Sequence, residues 1–243
     1  MMTMMTYSKK KKEYLASACV RGKIHVKEKL PNQDSILTAS NKYGVIMSVA
    51  DGLGSHRFSK KGSKAAVRAV KKSFMMFEKG KISFKEITAT IFKLFKENVK
   101  ESQRAEASTT CVFAVLSYKH GLFVGQMGDG MCYIRINGEE VLLKKKDDEF
   151  TNIVTPLNPS KNEARWKTKH FNINEEDSIE ILLATDGISE DIVPGKEGEC
   201  IEYYLGEIKK YARIFFNFIL RRFILNWDVP GSGDDKIIII FQK

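Results

Sequence analysis

The chain has 243 residues, 43% of them apolar, only 5 prolines, 4 cysteines and a formal net charge of +10. With no Pro/Ser-rich linker, internal repeat or compositional break, one domain at 14–243 is expected behind a basic extension at 1–13. The lysines are scattered apart from clusters at 9–12 and 144–146 and no nucleic-acid motif accompanies them. The cysteines lack CxxC spacing, and the apolar stretch "IFFNFIL" is cut short by Arg221-Arg222. These features argue against a nucleic-acid module, a zinc or disulfide framework and a membrane span, and the expectation is a reduced, cytoplasmic protein.

In chain order, a strand is expected at 14–20 ("YLASACV") and another at 43–49 ("YGVIMSV"). Helical spacing follows over 62–78, where Ala66, Val70, Phe74 and Phe77 share a face. It recurs over 84–100, where Ser83 and Glu86 form a candidate capping box. Strands are then expected at 111–117, 122–126 and 132–136. Asn137-Gly138 is a hairpin signal that pairs the last of these with "EVLLK". A strand at 179–184, a helical stripe over 205–226 (Leu205, Ile208, Ala212, Phe215, Ile219, Phe223) and a final strand at 236–242 complete the chain. Strands and helices come in segregated runs, so the fold class is α+β with mostly antiparallel sheets and helices packed outside.

Several of these strands abut acidic residues. "SVADGLGSH" ends an apolar run in Asp51-Gly52, "LFVGQMGDG" ends in Asp129-Gly130, "IEILLATDG" ends in Asp186-Gly187, and Asp234-Asp235 precedes "IIIIF". Asp-Gly is a common turn signal, and a hairpin explains Asp129-Gly130, because a strand follows at once. Asp51-Gly52 leads into a loop and a helix, and Asp186-Gly187 leads into "ISEDIVPG", so hairpin chemistry does not account for either. Asp34, in "PNQDSI", stands before a short β-like run. If these strand ends meet, like charges ~4 Å apart repel by about 4 kcal/mol at an effective dielectric near 20, and the cluster requires protonation or a cation. Hard oxygen ligands, with no His/Cys pairing to compete, favour Mg²⁺ or Mn²⁺, and two such ions form a hydrolytic phosphoryl-transfer centre.

"NQD" at 32–34, "VADGLGS" at 49–55, "STT" at 108–110, "GDG" at 128–130, "LLATDG" at 182–187 and "GDDKIIII" at 233–240 occur in an order that resembles the metal-dependent protein phosphatases of type 2C, and among them the compact bacterial branch. The resemblance runs from about residue 15 to the end. It implies a four-layer αββα sandwich, two central antiparallel sheets flanked by helices. It also implies hydrolysis of phosphoserine or phosphothreonine in a protein substrate, opposing a cognate Ser/Thr kinase, with two Mn²⁺ or Mg²⁺ ions and a weaker third site. Carried over by motif, Asp51 bridges the ions and the Gly52 carbonyl completes one shell. Asp186 and Asp234 hold the other ion, with Asp235 as the alternative one register away. Asp34 acts through water, and Asp129 joins Asp186 at the third site. Lys29, five residues before Asp34, stands where the family typically has a phosphate-gripping arginine, and His25 is a second candidate for substrate contact. Leu53 stands where many eukaryotic members have histidine, with His56 three residues on. Segment 147–167 is the expected flap. The rival reading is a non-catalytic phosphoprotein-binding or scaffold domain on the same fold.

Overall fold

The computed structural model describes residues 13–144, 156–161, 164–227 and 229–243; nearly all of the expected 1–13 extension and much of the 147–167 segment lie outside them. Strand β1 (Tyr14–Val20) leads into a short helix α1 (Lys23–Lys27), then β2 (Ser35–Asn41) and β3 (Gly44–Ala50). Helices α2 (Ser59–Glu78) and α3 (Ile87–Asn98) follow. Next come β4 (Cys111–Ser117), β5 (Gly121–Met127), β6 (Met131–Ile136), β7 (Glu139–Leu143), β8 (Lys167–Phe171) and β9 (Ile179–Ala184). Helices α4 (Asp186–Ser189), α5 (Glu197–Ile208) and α6 (Phe216–Leu225) precede the last strand, β10 (Lys236–Gln242).

The strands form two antiparallel five-stranded sheets, ordered β2-β3-β4-β5-β8 and β1-β10-β9-β6-β7. Alternate residues of each fill the space between them: Met47 and Val49, Val112 and Ala114, Ile181 and Leu183, Ile237 and Ile239. The opposite face of the β3 sheet packs on α2 and α3 through Ile46, Val70, Phe74, Ile91 and Phe95. The opposite face of the β10 sheet packs on α5 and α6 through Leu182, Ile201, Leu205, Ile219 and Ile240. Strands β3, β4 and β5 are therefore buried along their whole length, which is why they read as continuous apolar runs. Each such Ile, Leu or Phe contributes about 1.5–3 kcal/mol by leaving water. The αββα sandwich expected from the sequence is the observed architecture.

Local chemistry sets the boundaries. Ser83 and Glu86 form the expected capping box ahead of α3. Asn137 (φ 51°) and Gly138 (φ 91°) make the tight turn that pairs β6 with β7, Ile136 opposite Glu139. The structure also departs from the sequence reading, which expected neither α1 nor α4 and differs at three further places. The single helix expected over 205–226 is two, α5 and α6, because Ala212 and Phe215 of the stripe are exposed and the chain turns at 209–212. Strand β8, "KTKHF", escaped pattern reading because it is an exposed edge strand without apolar alternation, held by pairing with β5. Finally, Asp129-Gly130 is not a hairpin turn. Strands β5 and β6 belong to different sheets, and residues 128–130 carry the chain across, with Gly128 at φ 95° making the bend.

Candidate metal centre

Strand register brings the acidic residues to one end of the sandwich. Ser35 pairs with Ala50, Val49 with Val112 and Cys111 with Met127, so the start of β2, the end of β3, the start of β4 and the end of β5 lie together. In the other sheet Ala184 pairs with both Met131 and Ile238, and Val20 with Lys236. The end of β9 thus meets the starts of β6 and β10 and the end of β1. A cavity of about 200 Å³ opens there, lined by Asp51, Gly52, Asp129, Asp186 and Asp234, together with His25, Gln33, Leu53, Gly54 and Thr110.

Each acid is held by main-chain packing around it. The Asp51 N–H donates to Thr110 Oγ1 (3.0 Å), and the Asp51 carbonyl accepts from Thr109 Oγ1 (2.6 Å) and Thr110 N–H (2.7 Å). "STT" is therefore the clamp that fixes Asp51, a role the sequence did not disclose. Thr109 in turn exchanges main-chain bonds with Leu157 (2.7 and 3.2 Å), so this end of the expected flap is anchored beside the site. Gly52 has no room for a side chain: a Cβ would lie 2.8 Å from the Gln33 carbonyl oxygen and from the Ser59 carbonyl carbon. The same holds at Gly187, where a Cβ would lie 2.1 Å from the Asp235 carbonyl oxygen. Both Asp-Gly pairs thus exist for close main-chain approach, not turn geometry. Asp186 opens α4, with Thr185 Oγ1 accepting from the Ile237 N–H (3.1 Å). The Asp34 carbonyl accepts from Lys60 Nζ, and Ser63 Oγ donates to the Gln33 carbonyl (2.6 Å), so α2 pins the start of β2.

The adjacent acids Asp234 and Asp235 differ sharply. Asp235 is 1% exposed. It accepts from the Gly22 N–H (2.7 Å) and the Gln33 N–H (2.6 Å), and His25 Nδ1 lies 2.9 Å from Oδ2. It ties β1, α1 and β2 to β10, and both of its oxygens are engaged. Asp234 is exposed, lines the cavity, and has one oxygen engaged by the Asp235 N–H (2.7 Å). Of the two registers, this geometry turns Asp234 toward the cavity.

Carboxylate oxygens of Asp51, Asp129 and Asp186 lie within 4.8 Å of one another. At that separation two full charges repel by about 3.5 kcal/mol at an effective dielectric of about 20. Burial first, then the carboxylate of Asp34, holds Asp51 well above the usual carboxylate range, and Asp234 and Asp129 add to this. Burial, then Asp51, Asp129 and Asp234, push Asp186 up to about 8. Asp34 is also raised well above the ordinary range, chiefly by burial. Side-chain contact with Asp51 opposes that rise, Asp235 and Asp186 reinforce it, and a smaller contact with Thr185 opposes it. Asp34 is 1% exposed and no well-formed hydrogen bond reaches either carboxyl oxygen. An all-oxygen, mutually repelling donor set with a buried, unsatisfied carboxyl fits hard divalent cations.

The structure brings Asp51, Gly52, Asp129, Asp186, Asp234 and His25 to one cavity, with Asp34 coupled to them from beneath. It does not bring Lys29 there. Lys29 is exposed, at φ 58°, and its N–H donates to the Val26 carbonyl while Leu30 N–H donates to that of His25. That is the left-handed residue that terminates α1, a place where glycine is usual. His25, in turn, is on a helix, with a side chain 12% exposed. His56 does not line the cavity; its Nδ1 is 3.4 Å from the Ser108 N–H.

A family model described as Protein phosphatase 2C matches residues 21–217, and the chain belongs to that family. No curated protein matches the sequence. Among solved structures, the catalytic domain of the serine/threonine protein phosphatase PstP, crystallised with two manganese ions, is 16% identical. That match covers 94% of this chain and 97% of the other, with a TM-score of 0.59. RsbX in complex with magnesium is 15% identical, covering 97% of each chain, with a TM-score of 0.58. PppA, a regulatory component of the type VI secretion system of Pseudomonas aeruginosa, is 15% identical over 94% and 96%, with a TM-score of 0.64. At such identities these likenesses establish the fold.

Proposed function

We propose that the chain is a metal-dependent protein phosphatase that hydrolyses phosphoserine and phosphothreonine. The observation that carries the reading is the convergence of Asp51, Asp129, Asp186 and Asp234 on one small cavity, with Asp34 beneath them and with burial and neighbouring carboxylates disfavouring the ionised forms of Asp34, Asp51 and Asp186. Asp51, Asp186 and Asp234 would hold two Mn²⁺ or Mg²⁺ ions with the Gly52 carbonyl, Asp34 would act through water, and Asp129 would serve a third site. Such ions, when bound, supply an activated water and the positive charge that offsets the phosphoryl oxygens. The chain's own part is to hold that set rigidly. Thr109 and Thr110 fix Asp51, Lys60 and Ser63 fix the chain at Asp34, and Asp235 fixes α1 and His25 at the rim. His25 faces the cavity, where an incoming phosphoryl group would sit, and is the rim contact for substrate. Lys29 is left as a helix terminator.

PstP and RsbX, which share the fold, were crystallised with manganese and magnesium, and that likeness supports the choice of ions. A phosphorylated protein substrate and a kinase that makes it follow from the same reading. The scaffold alternative would be favoured by loss of the acids, and none of them is lost. Among the described residues no helix is long and apolar enough to cross a membrane. Hydrolysis of p-nitrophenyl phosphate with Mn²⁺, with Mg²⁺ and with EDTA tests the proposal. Turnover that needs the metal and stops with the chelator is expected. Equal turnover in EDTA, or none with either metal, would contradict it.

A further inference from the structure

We infer that the outer face of the chain at 211–222 docks on a membrane that carries anionic lipid, lying in the headgroup layer without crossing it. The two outer helix layers of the sandwich differ in what they show to water. Helices α2 and α3 expose no large apolar side chain, whereas Tyr211, Ile214, Phe215 and Phe218 are all exposed ahead of and on α6. Ile214 is 83% and Phe218 63% exposed. Ile214 and Phe215 lie in a short 3-10 turn, Arg213–Phe215, that runs straight into α6. Phe218, Arg221 and Arg222 follow on the outer side at i, i+3 and i+4. The same helix turns Phe216, Ile219, Leu220 and Ile224 inward onto the β10 sheet. Helix α6 is therefore apolar on both sides, a pattern found where both sides are covered.

Charge identifies what covers the outer side. Arg213, Arg221 and Arg222 are exposed and, among the described residues, stand in no ion pair. Lys209 and Lys210 stand beside them, the first donating to Gln242 Oε1 and lying over the Tyr14 ring, the second paired with Glu207. The acids near this face are Glu207 and Glu13, and Glu13 accepts from the Tyr118 hydroxyl (3.1 Å). Counted in full against the five cations, these two acids leave an excess of three positive charges, and no acid occurs between 208 and 226. The chain supplies more charge at the same place. Tyr14 stacks on Phe216 (ring centroids 5.9 Å apart) and the Ser17 N–H donates to Asn217 Oδ1 (2.9 Å), so β1 begins against α6. Lys9, Lys10, Lys11 and Lys12 precede Tyr14 by five residues or fewer, at most about 18 Å of chain, and residues 1–12 contain no acid.

An anionic bilayer complements both halves of this face. Aromatic and aliphatic side chains enter the boundary between headgroups and acyl chains, and arginines beside them reach lipid phosphate along their apolar stems. Lysines ahead of β1 gain from a negative surface potential without a fixed partner. A single short apolar face holds a membrane weakly, and a basic segment is the second signal that makes the hold stable. A second copy of the chain fits less well. A symmetric contact through α6 would set Arg213, Arg221 and Arg222 against their own counterparts. With ten residues, α6 is too short to span a bilayer, so it lies along the surface.

The test is co-sedimentation of the full chain with vesicles of phosphatidylcholine alone and with vesicles containing roughly one-third phosphatidylglycerol. Binding to the anionic vesicles only is expected. Phe218→Asp should weaken it about tenfold or more, and Arg222→Gln about fivefold, an effect that fades in high salt. Both positions are exposed, so both variants should unfold at the wild-type temperature. Changing Lys9→Gln, Lys10→Gln, Lys11→Gln and Lys12→Gln together should weaken binding further and leave its dependence on Phe218 in place. Phe218→Trp reports insertion: brominated acyl chains should quench its fluorescence beyond the level that Trp166 and Trp227 set in wild type. No binding to the anionic vesicles, or binding that Phe218→Asp leaves unchanged, would overturn the assignment. So would self-association that depends on Phe218 without vesicle binding, which would give the face to a second copy. Binding to poly-glutamate or RNA that depends on Phe218 and equals that to vesicles would give it to an acidic protein or a nucleic acid, and overturn the assignment as well.

Discussion

Asp34 and Asp235 are buried to the same degree, 1% exposed each, at the same end of the sandwich, yet they are set up in opposite ways. Asp235 receives two main-chain N–H groups and lies against His25, and it joins three segments of chain. Asp34 has neither oxygen in a well-formed hydrogen bond and faces other carboxylates. A buried ionised carboxyl is tolerated when donors surround it, and a buried carboxyl without donors is tolerated only with a proton or a cation. The contrast separates acids that build the site from acids that wait for a ligand. It assigns Asp235 to the first group, with Asp34, Asp51 and Asp186 in the second.

Replacing the structural acid should have the largest effect on stability. Asp235→Ala would leave the Gly22 and Gln33 N–H groups without their acceptor, at about 1–3 kcal/mol each. For a chain of this size a lowering of Tm by about 5–15 °C in EDTA is expected, by thermal unfolding. A variant as stable as wild type would erase the distinction drawn between the two buried acids.

Replacing a waiting acid should do the reverse. Asp51→Asn removes a charge that other carboxylates repel, so the metal-free protein should be stabilised, by about 1–2 kcal/mol, with Tm raised by several degrees. The same change should lower Mn²⁺-dependent turnover by about two orders of magnitude or more. Loss of stability in EDTA would place Asp51 with Asp235 among the structural acids.

The pH dependence sharpens the comparison further. Asp34, Asp51 and Asp186 are all raised in the fold, so the folded protein without metal binds more protons than the unfolded chain between the ordinary carboxylate range, near 4, and about 8, the value for Asp186. Stability in EDTA should therefore fall as pH rises through that window. With saturating Mn²⁺ the carboxylates are held ionised, the fall should be removed, and metal binding should release protons. A thermal-unfolding series from pH 5 to pH 9 in EDTA and in Mn²⁺ measures both slopes. A flat metal-free series would contradict the unmet charges.

The smallest effect is expected at Lys29. Its backbone is left-handed at φ 58°, so Lys29→Gly should stabilise the protein by up to about 1 kcal/mol and leave KM for p-nitrophenyl phosphate unchanged. A several-fold rise in KM would return Lys29 to the phosphate.

Much of the sandwich was legible because strands buried on both faces carry long apolar runs; β4, β9 and β10 begin and end where pattern reading puts them, and so does the half-buried edge strand β1. The edge strand β8 and the break between α5 and α6 were not legible, because tertiary pairing, not local pattern, decides them. At the site, the positions of the acids were readable and their division of labour was not. "GDD" offers two adjacent carboxylates, and only the three-dimensional placement of Gly22, Gln33 and His25 shows which one is already engaged. Thr109 and Thr110 likewise act through main-chain bonds to a residue almost 60 positions away, for which a sequence carries no spacing signal. Lys29 was assigned by its offset from Asp34, and the short helix α1 between β1 and β2 displaces that register.

The central claim, that the converging acids are held for divalent cations, is tested most directly by titrating Mn²⁺ into the metal-free protein while following thermal unfolding. Binding to the folded state alone stabilises by about 2.7 kcal/mol at one hundred times Kd, a rise of roughly 5–11 °C for a chain of this length. Wild type should show that rise, and Asp51→Asn, which starts from a higher Tm in EDTA, should show little or none. A wild-type protein whose Tm does not respond to Mn²⁺ or Mg²⁺, or an Asp51→Asn variant that responds as wild type does, would contradict the account.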